Sequence, residues 1–213
     1  MTEGARSFVR RVAAAPLVAS LVLLAGCALF DRKLPQEPGY HPRLTPRTYI
    51  EEGNLLIFTV DVSATVWRDD KQLIPIAFAL ANKSMPRITL TRESFTLVDE
   101  EGNRYPLASV QEMRRTGVLS NGDWNAADHF FEVTQGYYDS WVHQPSVFFP
   151  VLTTTRLGRR GVVRDKVELN LRMWTADMLY FPHPKGSIKD KKLELWLSAP
   201  ELKEPVFVKV HVK

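Results

Sequence analysis

Cysteine is nearly absent from this chain of 213 residues, which contains Cys27 and no other. A single thiol cannot form an internal disulfide, and the cysteine and histidine residues lack zinc-ligand spacing. The 28 basic residues only slightly outnumber the 24 acidic ones, without the basic stripe that nucleic-acid binding requires. These absences exclude a disulfide scaffold and a zinc finger, and they predict no nucleic-acid partner.

Motifs for catalysis are missing as well. The sequence has no Gly-x-Ser-x-Gly nucleophile elbow, no His-Glu-x-x-His zinc motif and no glycine-rich phosphate loop. We therefore predict that the protein is not an enzyme and has no catalytic or metal-binding residues. A hydrolase whose carboxylate pair is assembled across strands is a less favoured alternative.

The first 26 residues have the pattern of a secretion signal. Three arginines lie within the first eleven residues, and the run Val12 to Gly26 contains no charge. The uncharged run continues to Phe30, close to the roughly 20 residues of a bilayer span. An uncleaved membrane helix is therefore the alternative, although Pro16 inside the run disfavours it.

The end of this run, Leu24-Ala25-Gly26-Cys27, resembles the lipobox of bacterial lipoproteins. The resemblance implies that residues 1–26 are a lipoprotein signal peptide and that Cys27 carries diacylglycerol on its thiol and an acyl chain such as palmitate on its amine. No other cofactor is expected. Ala28 follows the cysteine instead of the aspartate that often retains such proteins in the inner membrane. The resemblance therefore predicts an envelope lipoprotein, with the outer membrane favoured.

Residues 27–50 read as the lipidated N-terminus and a tether. Four prolines lie within residues 35–46, which disfavours a helix and favours an extended spacer of about 3.1 Å per residue. The folded domain is then predicted to comprise residues 51–213. The alternative, that Tyr40 or Leu44 packs along the domain, stays open.

The folded part shows the period-two pattern of β-strands. Alternation from Leu56 to Val66 predicts a strand with one buried and one exposed face. Leu73 to Ala81 is apolar on both faces and predicts a central strand, with Pro75 at an edge or bulge position. Residues 99–103 predict a hairpin turn. Further strands are predicted over 88–90, 95–98, 147–152, 167–173, 193–197 and 206–212.

Ser109 and Glu112 fit a capping box and predict a short helix that ends at Gly117. Residues 74–84 and 95–105 are similar to the immunoglobulin-like domains of small bacterial surface lipoproteins and secreted antigens. In both, a hydrophobic strand ends in an Asn-rich turn and a later hairpin combines Asp, Gly, Asn and an aromatic residue. The resemblance implies a mainly β protein, an immunoglobulin-like antiparallel β-sandwich with a short helical insertion.

Two segments are candidate binding surfaces. Eight of the 22 aromatic residues lie between Trp124 and Phe149, where an exposed group could stack sugar rings or contact a protein. Alternatively, they form a small core for an irregular insertion. A basic loop over residues 156–166 could bind lipid phosphates or an acidic partner, unless it is a solvated hairpin tip. The candidate surface residues are Trp124, Tyr137, Tyr138, Trp141, Arg156, Arg159, Arg160 and Arg164.

A calcium loop is a further possibility between Asn121 and Glu132. Oxygen side chains occupy positions one, three, five and twelve, but Ala126 replaces the glycine that the EF-hand turn requires. The alternative is that Asp123 caps a helical turn.

Together these features predict a membrane-anchored envelope lipoprotein with a non-catalytic binding or scaffolding role, as an accessory subunit that contacts another envelope protein. The alternative is a carbohydrate-binding module for peptidoglycan or a surface glycan, which would use the aromatic insertion.

Overall fold

Thirteen strands and two α-helices make up the described part of the structure, a computed structural model. It describes residues 44–69, 71–116, 121–147, 162–163 and 165–213, all within the compact unit Glu37–Lys213. The protein is therefore mainly β, as its sequence predicts.

The larger sheet has five strands and is antiparallel except for its last pair. β7 runs parallel to β11. In this pair, Met173 lies opposite Val142 and Trp174 lies opposite His143. The strands in order across the sheet are β1 (Thr48–Glu52), β2 (Leu56–Asp61), β3 (Leu73–Asn82), β11 (Met173–Pro182) and β7 (Val142–His143).

A second sheet has four antiparallel strands, and two further pairs complete the β structure. The four strands in order are β13 (Val206–His211), β12 (Lys192–Leu197), β5 (Phe95–Asp99) and β6 (Arg104–Pro106). The further pairs are β4 (Arg87–Thr91) with β10 (Lys166–Asn170), which are antiparallel, and β8 (Ser146–Val147) with β9 (Val162–Val163), which are parallel.

The two larger sheets contact each other through buried aromatic side chains. The ring centroids of Phe78 in β3 and Phe95 in β5 are 4.7 Å apart. At one edge, the Tyr49 hydroxyl of β1 donates a 2.9 Å hydrogen bond to the carbonyl oxygen of His211 in β13. These contacts place the main hydrophobic core between the sheets.

β3 confirms the predicted central strand, because all ten of its residues are buried between β2 and β11. Pro75 pairs with Tyr180 of β11, whereas pairing with β2 ends at Ala77. The proline thus occupies an edge-like position where its missing N–H costs no ladder hydrogen bond.

The prediction of one buried and one exposed face for residues 56–66 is wrong. All six residues of β2 are buried, and the strand ends at Asp61. The Thr59 hydroxyl forms a 2.7 Å hydrogen bond with the hydroxyl of Tyr138, which covers the second face. A 3-10 helix follows at Thr65–Trp67 in place of the predicted continuation of the strand.

Two helices lie between β6 and β7. The first, α1 (Val110–Thr116), confirms the predicted short helix, and Ser109 and Glu112 form its capping box. The second, α2 (Asn121–Tyr137), has 17 residues, so the interpretation of this segment as an irregular insertion is wrong. Its buried side chains follow one face of the helix, at Asp123, Ala127, Phe130 and Thr134.

The hairpin prediction is confirmed at residues 99–103, where β5 and β6 are joined and Gly102 has a φ of 82°. The predicted continuous strand over 167–173 is instead two strands. β10 ends at Asn170, and Arg172 adopts a left-handed φ of 64° that turns the chain into β11. This turn leaves Leu171 outside the sheets.

The folded domain begins before residue 51, since that boundary falls inside β1 and Leu44 is already buried. The Thr45 and Thr48 hydroxyls both donate hydrogen bonds to the Asp61 carboxylate, at 2.9 and 2.6 Å. We call this side, with Leu44 and the 62–72 loop, the proximal end. The turns at 53–55, 83–86 and 171–172 form the distal end. At about 3.3 Å per residue, the ten residues of β3 separate the two ends by about 30 Å.

Candidate functional site

The lipidation residue and the arginines of the basic loop lie outside the described residues. They comprise Cys27 and the four arginines Arg156, Arg159, Arg160 and Arg164. Both therefore stay predictions from the sequence.

The aromatic surface differs from its prediction. Tyr138 is only 1 % exposed, so the expectation that it lies on the surface is wrong. Its ring packs against that of Trp174 at 5.2 Å, and burial raises the pKa of its hydroxyl. Tyr137 and Trp141 are half-buried. The backbone of Trp124 lies in α2, and its side chain is not among those described.

These aromatic residues attach α2 to the larger sheet. The ring of Trp174 in β11 is 5.7 Å from that of Phe131 and 4.5 Å from that of His143. Trp141 lies 6.4 Å from Tyr138, and the guanidinium carbon of Arg172 is 5.0 Å from the ring centroid of Trp141. The described members thus form a local core, which is the alternative interpretation of the sequence.

The calcium-loop interpretation is wrong, because Asn121 to Glu132 lies within the continuous helix α2. The Asp123 carboxylate accepts a hydrogen bond from the guanidinium of Arg68, and both side chains are almost fully buried. The Tyr180 hydroxyl donates a 3.4 Å hydrogen bond to the Asp123 carboxylate. Burial is the main cause that raises the pKa of Tyr180, and the negative charge of Asp123 raises it further.

A cavity that the sequence did not indicate lies at the proximal end, and the loop after β2 builds it. The Asp61 carboxylate accepts a 2.9 Å hydrogen bond from the backbone N–H of Ser63 and turns the chain. The Thr65 hydroxyl then donates to the Pro75 carbonyl, which holds the 3-10 helix against β3. Arg68 turns inward, whereas Trp67 points outward and is 77 % exposed.

This cavity, the Trp67 cavity, has a volume of about 340 Å³. The backbone N–H of Val62 donates to the Arg47 carbonyl at 3.1 Å, which brings Arg47 beside the loop. Among the described residues, three cationic side chains and one carboxylate line the cavity, so the described lining has a positive formal charge. The lining residues are Arg47, Ser63, Ala64, Trp67, Arg68, Lys71, Asp123 and Ala126.

The 183–191 loop packs beside the Trp67 cavity. The Asp69 carboxylate accepts hydrogen bonds from the Ile188 backbone N–H at 2.6 Å and from the Ser187 hydroxyl at 3.0 Å. Both hydrogen bonds hold the pKa of Asp69 below its ordinary value, and the one from Ile188 has the larger effect. Lys185 and Lys189 are exposed on the same loop.

The distal end carries three exposed apolar residues, Leu55, Val142 and Leu171, which we call the distal patch. They are 47 %, 62 % and 51 % exposed, and with Trp67 they are the large exposed hydrophobic residues of the described chain. Backbone hydrogen bonds connect their turns: Lys83 to Leu55, Leu171 to Pro86, Arg172 to Asn82, and Val142 to Arg172, all between 2.9 and 3.2 Å.

A second cavity, of about 650 Å³, lies where β1 approaches the ends of β5, β12 and β13. Val98, Leu193 and Val210 provide apolar walls, and its charged lining includes both Glu100 and Lys209. Because charges of both signs face it, the cavity has no clear preference for an anionic or a cationic ligand.

No family model matches the chain, and neither a curated protein nor a solved structure matches it. Among the described side chains, no group of three or more His, Cys, Asp or Glu is placed to hold a metal ion. No helix in the described ranges is long and apolar enough to cross a membrane.

The Trp67 cavity and the distal patch could have been predicted from large apolar residues in turns. Trp67 precedes the turn that follows β2, and Leu55 follows Gly53 and Asn54. Turns are ordinarily polar, so such residues are unusual there. The exposure of Leu171 could not be predicted in this way, because the alternation from Val167 to Met173 assigns this residue to a strand.

Proposed function

We propose that this protein is a lipid-anchored lipoprotein of the cell envelope, with an immunoglobulin-like β-sandwich that binds another envelope protein. Its role is non-catalytic, as an accessory subunit or scaffold. The observation that carries the binding role is the distal patch, three exposed apolar side chains at the end of the domain opposite Leu44.

The contact between the two larger sheets supports the sandwich part of the proposal. Phe78 and Phe95 pack between them, and most neighbouring strands are antiparallel. The predicted membrane attachment at Cys27 precedes the domain at its proximal end. The distal patch lies at the end of the domain opposite Leu44, where a periplasmic partner can reach it.

Desolvation of the distal patch would favour association. Removing apolar area from water contributes about 25 cal/mol per Å², which offsets part of the entropic cost of association. Arg172 lies between Leu171 and Trp141, so the rim of the patch offers a cation that can direct an acidic group. We therefore propose a protein partner with an apolar surface and an acidic rim.

The glycan alternative depended on an exposed aromatic cluster. The described members of that cluster are instead buried or half-buried, and they pack on Trp174 and on one another. For this reason we propose the protein partner ahead of a sugar.

Site-specific photocrosslinking in cells tests the proposal. A photoreactive amino acid at Val142 is expected to crosslink one envelope protein, and the same group at the exposed Glu101, in the hairpin between β5 and β6, is not. In the same chain, Leu171→Glu is expected to abolish the adduct, because a charge in the patch cannot be desolvated without cost. Gln111→Glu, which adds the same charge on the exposed side of α1, is the matched control.

Equal adducts at Val142 and Glu101, or an adduct that survives Leu171→Glu, would contradict the proposal. A glycan adduct in place of a protein would support the alternative. Because Leu171 is half exposed, the melting temperature of Leu171→Glu should match that of Gln111→Glu, which separates lost binding from lost folding.

A further inference from the structure

We propose that the Trp67 cavity binds the headgroup of an anionic phospholipid, so that the proximal end rests on the bilayer that holds the anchor. This inference rests on the proposed lipid anchor and adds to it a specific lipid contact and an orientation. It concerns the end of the domain opposite the distal patch.

The charges of the cavity fit a phosphodiester. Among the described lining residues, Arg47, Arg68 and Lys71 are cationic and Asp123 is acidic, and Asp123 is held by Arg68 and by the hydroxyl of Tyr180. The formal charge of the described lining is therefore positive. Guanidinium and ammonium groups donate strong charge-assisted hydrogen bonds to phosphate oxygens.

The indole of Trp67 fits the interface between headgroups and acyl chains. It is 77 % exposed at the rim of a positively lined cavity, where its apolar ring has no protein surface to cover it fully. Tryptophan is enriched at the headgroup level of membranes, since one part of the side chain is apolar and the indole N–H seeks a polar partner. An exposed tryptophan alone would carry little weight, but here it adjoins cationic side chains.

The cavity lies at the end of the domain that contains Leu44, the first residue described. Leu44, Arg47 and the 62–72 loop are all at the proximal end, and Lys185 and Lys189 add positive charge on the neighbouring loop. Basic residues close to an anionic membrane each strengthen binding. Residues 27–44 could span about 50 Å if extended, so attachment alone would not fix the orientation of the domain.

The test uses the full lipidated protein reconstituted into phosphatidylcholine vesicles with or without phosphatidylglycerol, both containing lipids brominated on their acyl chains. Bromine quenches tryptophan fluorescence at short range, and the difference between the wild type and Trp67→Phe isolates the emission of Trp67. We expect quenching of Trp67 with phosphatidylglycerol and its loss at about 1 M salt, where the Debye length is about 3 Å. Trp196→Phe, on the second sheet, is the matched control and should leave that quenching in place.

Charge reversal tests the headgroup contact. Lys71→Glu is expected to lower the ratio of quenched to unquenched Trp67 about fivefold in phosphatidylglycerol vesicles. The exposed Lys203→Glu makes the same change in charge away from the cavity and should leave the ratio unchanged. Soluble glycerol phosphate that shifts Trp67 emission without vesicle quenching would identify a free phosphate ligand and overturn the membrane contact.

Two failures are distinguishable. A protein that does not float with any vesicle contradicts the lipid anchor and, with it, this inference. A protein that floats but whose Trp67 stays unquenched in both lipid mixtures contradicts this inference alone. A shift of Trp67 emission by a soluble peptidoglycan fragment, with no vesicle quenching, would assign the cavity to a glycan and also overturn the proposal.

Discussion

The guanidinium of Arg68 and the carboxylate of Asp123 form a buried ion pair, although the two residues are 55 positions apart in the sequence. The pair joins the loop after β2 to the first turn of α2. It therefore fixes the wall of the Trp67 cavity and one end of the helix at the same time. A buried charge is tolerated only while its partner is present.

Asp123→Asn is expected to lower the free energy of unfolding by about 3–5 kcal/mol, because it removes the carboxylate that forms the buried ion pair with Arg68. Urea denaturation of the variant measures the loss. Glu132→Gln, at an exposed position of the same helix, is the matched control and should change stability by less than about 0.5 kcal/mol. Equal losses in the two variants would show that the pair is not essential to the fold.

The hydrogen bond between Thr59 and Tyr138 supports a second prediction. It is 2.7 Å long, buried, and connects β2 to the residue that follows α2. Tyr138→Phe is expected to cost about 1 kcal/mol of stability, since it removes the hydroxyl and leaves that of Thr59 unsatisfied.

A double-mutant cycle with Thr59→Val is the control. Once Thr59 is replaced, the additional cost of Tyr138→Phe should fall close to zero, because the shared hydrogen bond is already lost. Additive losses would contradict a direct coupling between the two hydroxyls.

Strict hydrophobic periodicity made much of the fold predictable. β3 is apolar from Leu73 to Ala81, β12 and β13 alternate between apolar and polar residues, and the hairpin at 99–103 contains its glycine at the position with positive φ. The short helix α1 was predictable from its capping box, because Ser109 and Glu112 lie three residues apart. These signals are local, so the sequence carries them without knowledge of the tertiary contacts.

The features that the sequence did not predict depend on tertiary contacts. α2 was missed because its buried face includes the polar residues Asp123 and Thr134, whose partners are Arg68 and the helix backbone. Its sequence also contains glycine, asparagine and β-branched residues of low helix propensity. The signal that could have found it is the spacing of Asp123, Ala127, Phe130 and Thr134, which repeats every three to four residues.

The exposure of Tyr138 was mispredicted for a related reason. Nothing in its neighbourhood in the sequence shows that Trp174 and Thr59 meet there to enclose it. Likewise, the exposure of Leu171 follows from the left-handed conformation of Arg172, which ends the alternation of β10. Both depend on residues brought together only by folding.

The predicted lipid anchor can be tested at Cys27. Wild-type protein is expected to incorporate labelled palmitate in cells, and Cys27→Ser is expected to incorporate none, because the chain has no other thiol. Ala28→Asp is the matched variant: by resemblance to bacterial lipoproteins, it should keep the lipid and move to the inner membrane. Label in Cys27→Ser, or none in the wild type, would contradict lipidation at this residue.

The hairpin carboxylate Asp99 predicts a pH dependence of stability. It accepts hydrogen bonds from the backbone N–H groups of Glu101 and Asn103, from the Asn103 amide and from the Tyr105 hydroxyl, between 2.7 and 3.1 Å. Burial alone would raise the pKa of Asp99, but these hydrogen bonds outweigh it and lower the pKa from 3.8 to about 2.

A lowered pKa in the folded state means that the unfolded chain binds a proton first as the pH falls. The stabilisation by Asp99 is therefore complete above a pH of about 4 and is lost as the pH falls toward about 2.

Asp99→Asn is expected to cost about 1–3 kcal/mol at neutral pH, since an amide cannot accept the same charge-assisted hydrogen bonds. That cost should shrink at low pH, where the wild-type carboxylate is itself protonated. Denaturation of both proteins across this range measures the difference, and Glu100→Gln in the same turn is the control. A cost of Asp99→Asn that stays constant down to a pH of about 2 would show that the ionised carboxylate does not stabilise the hairpin.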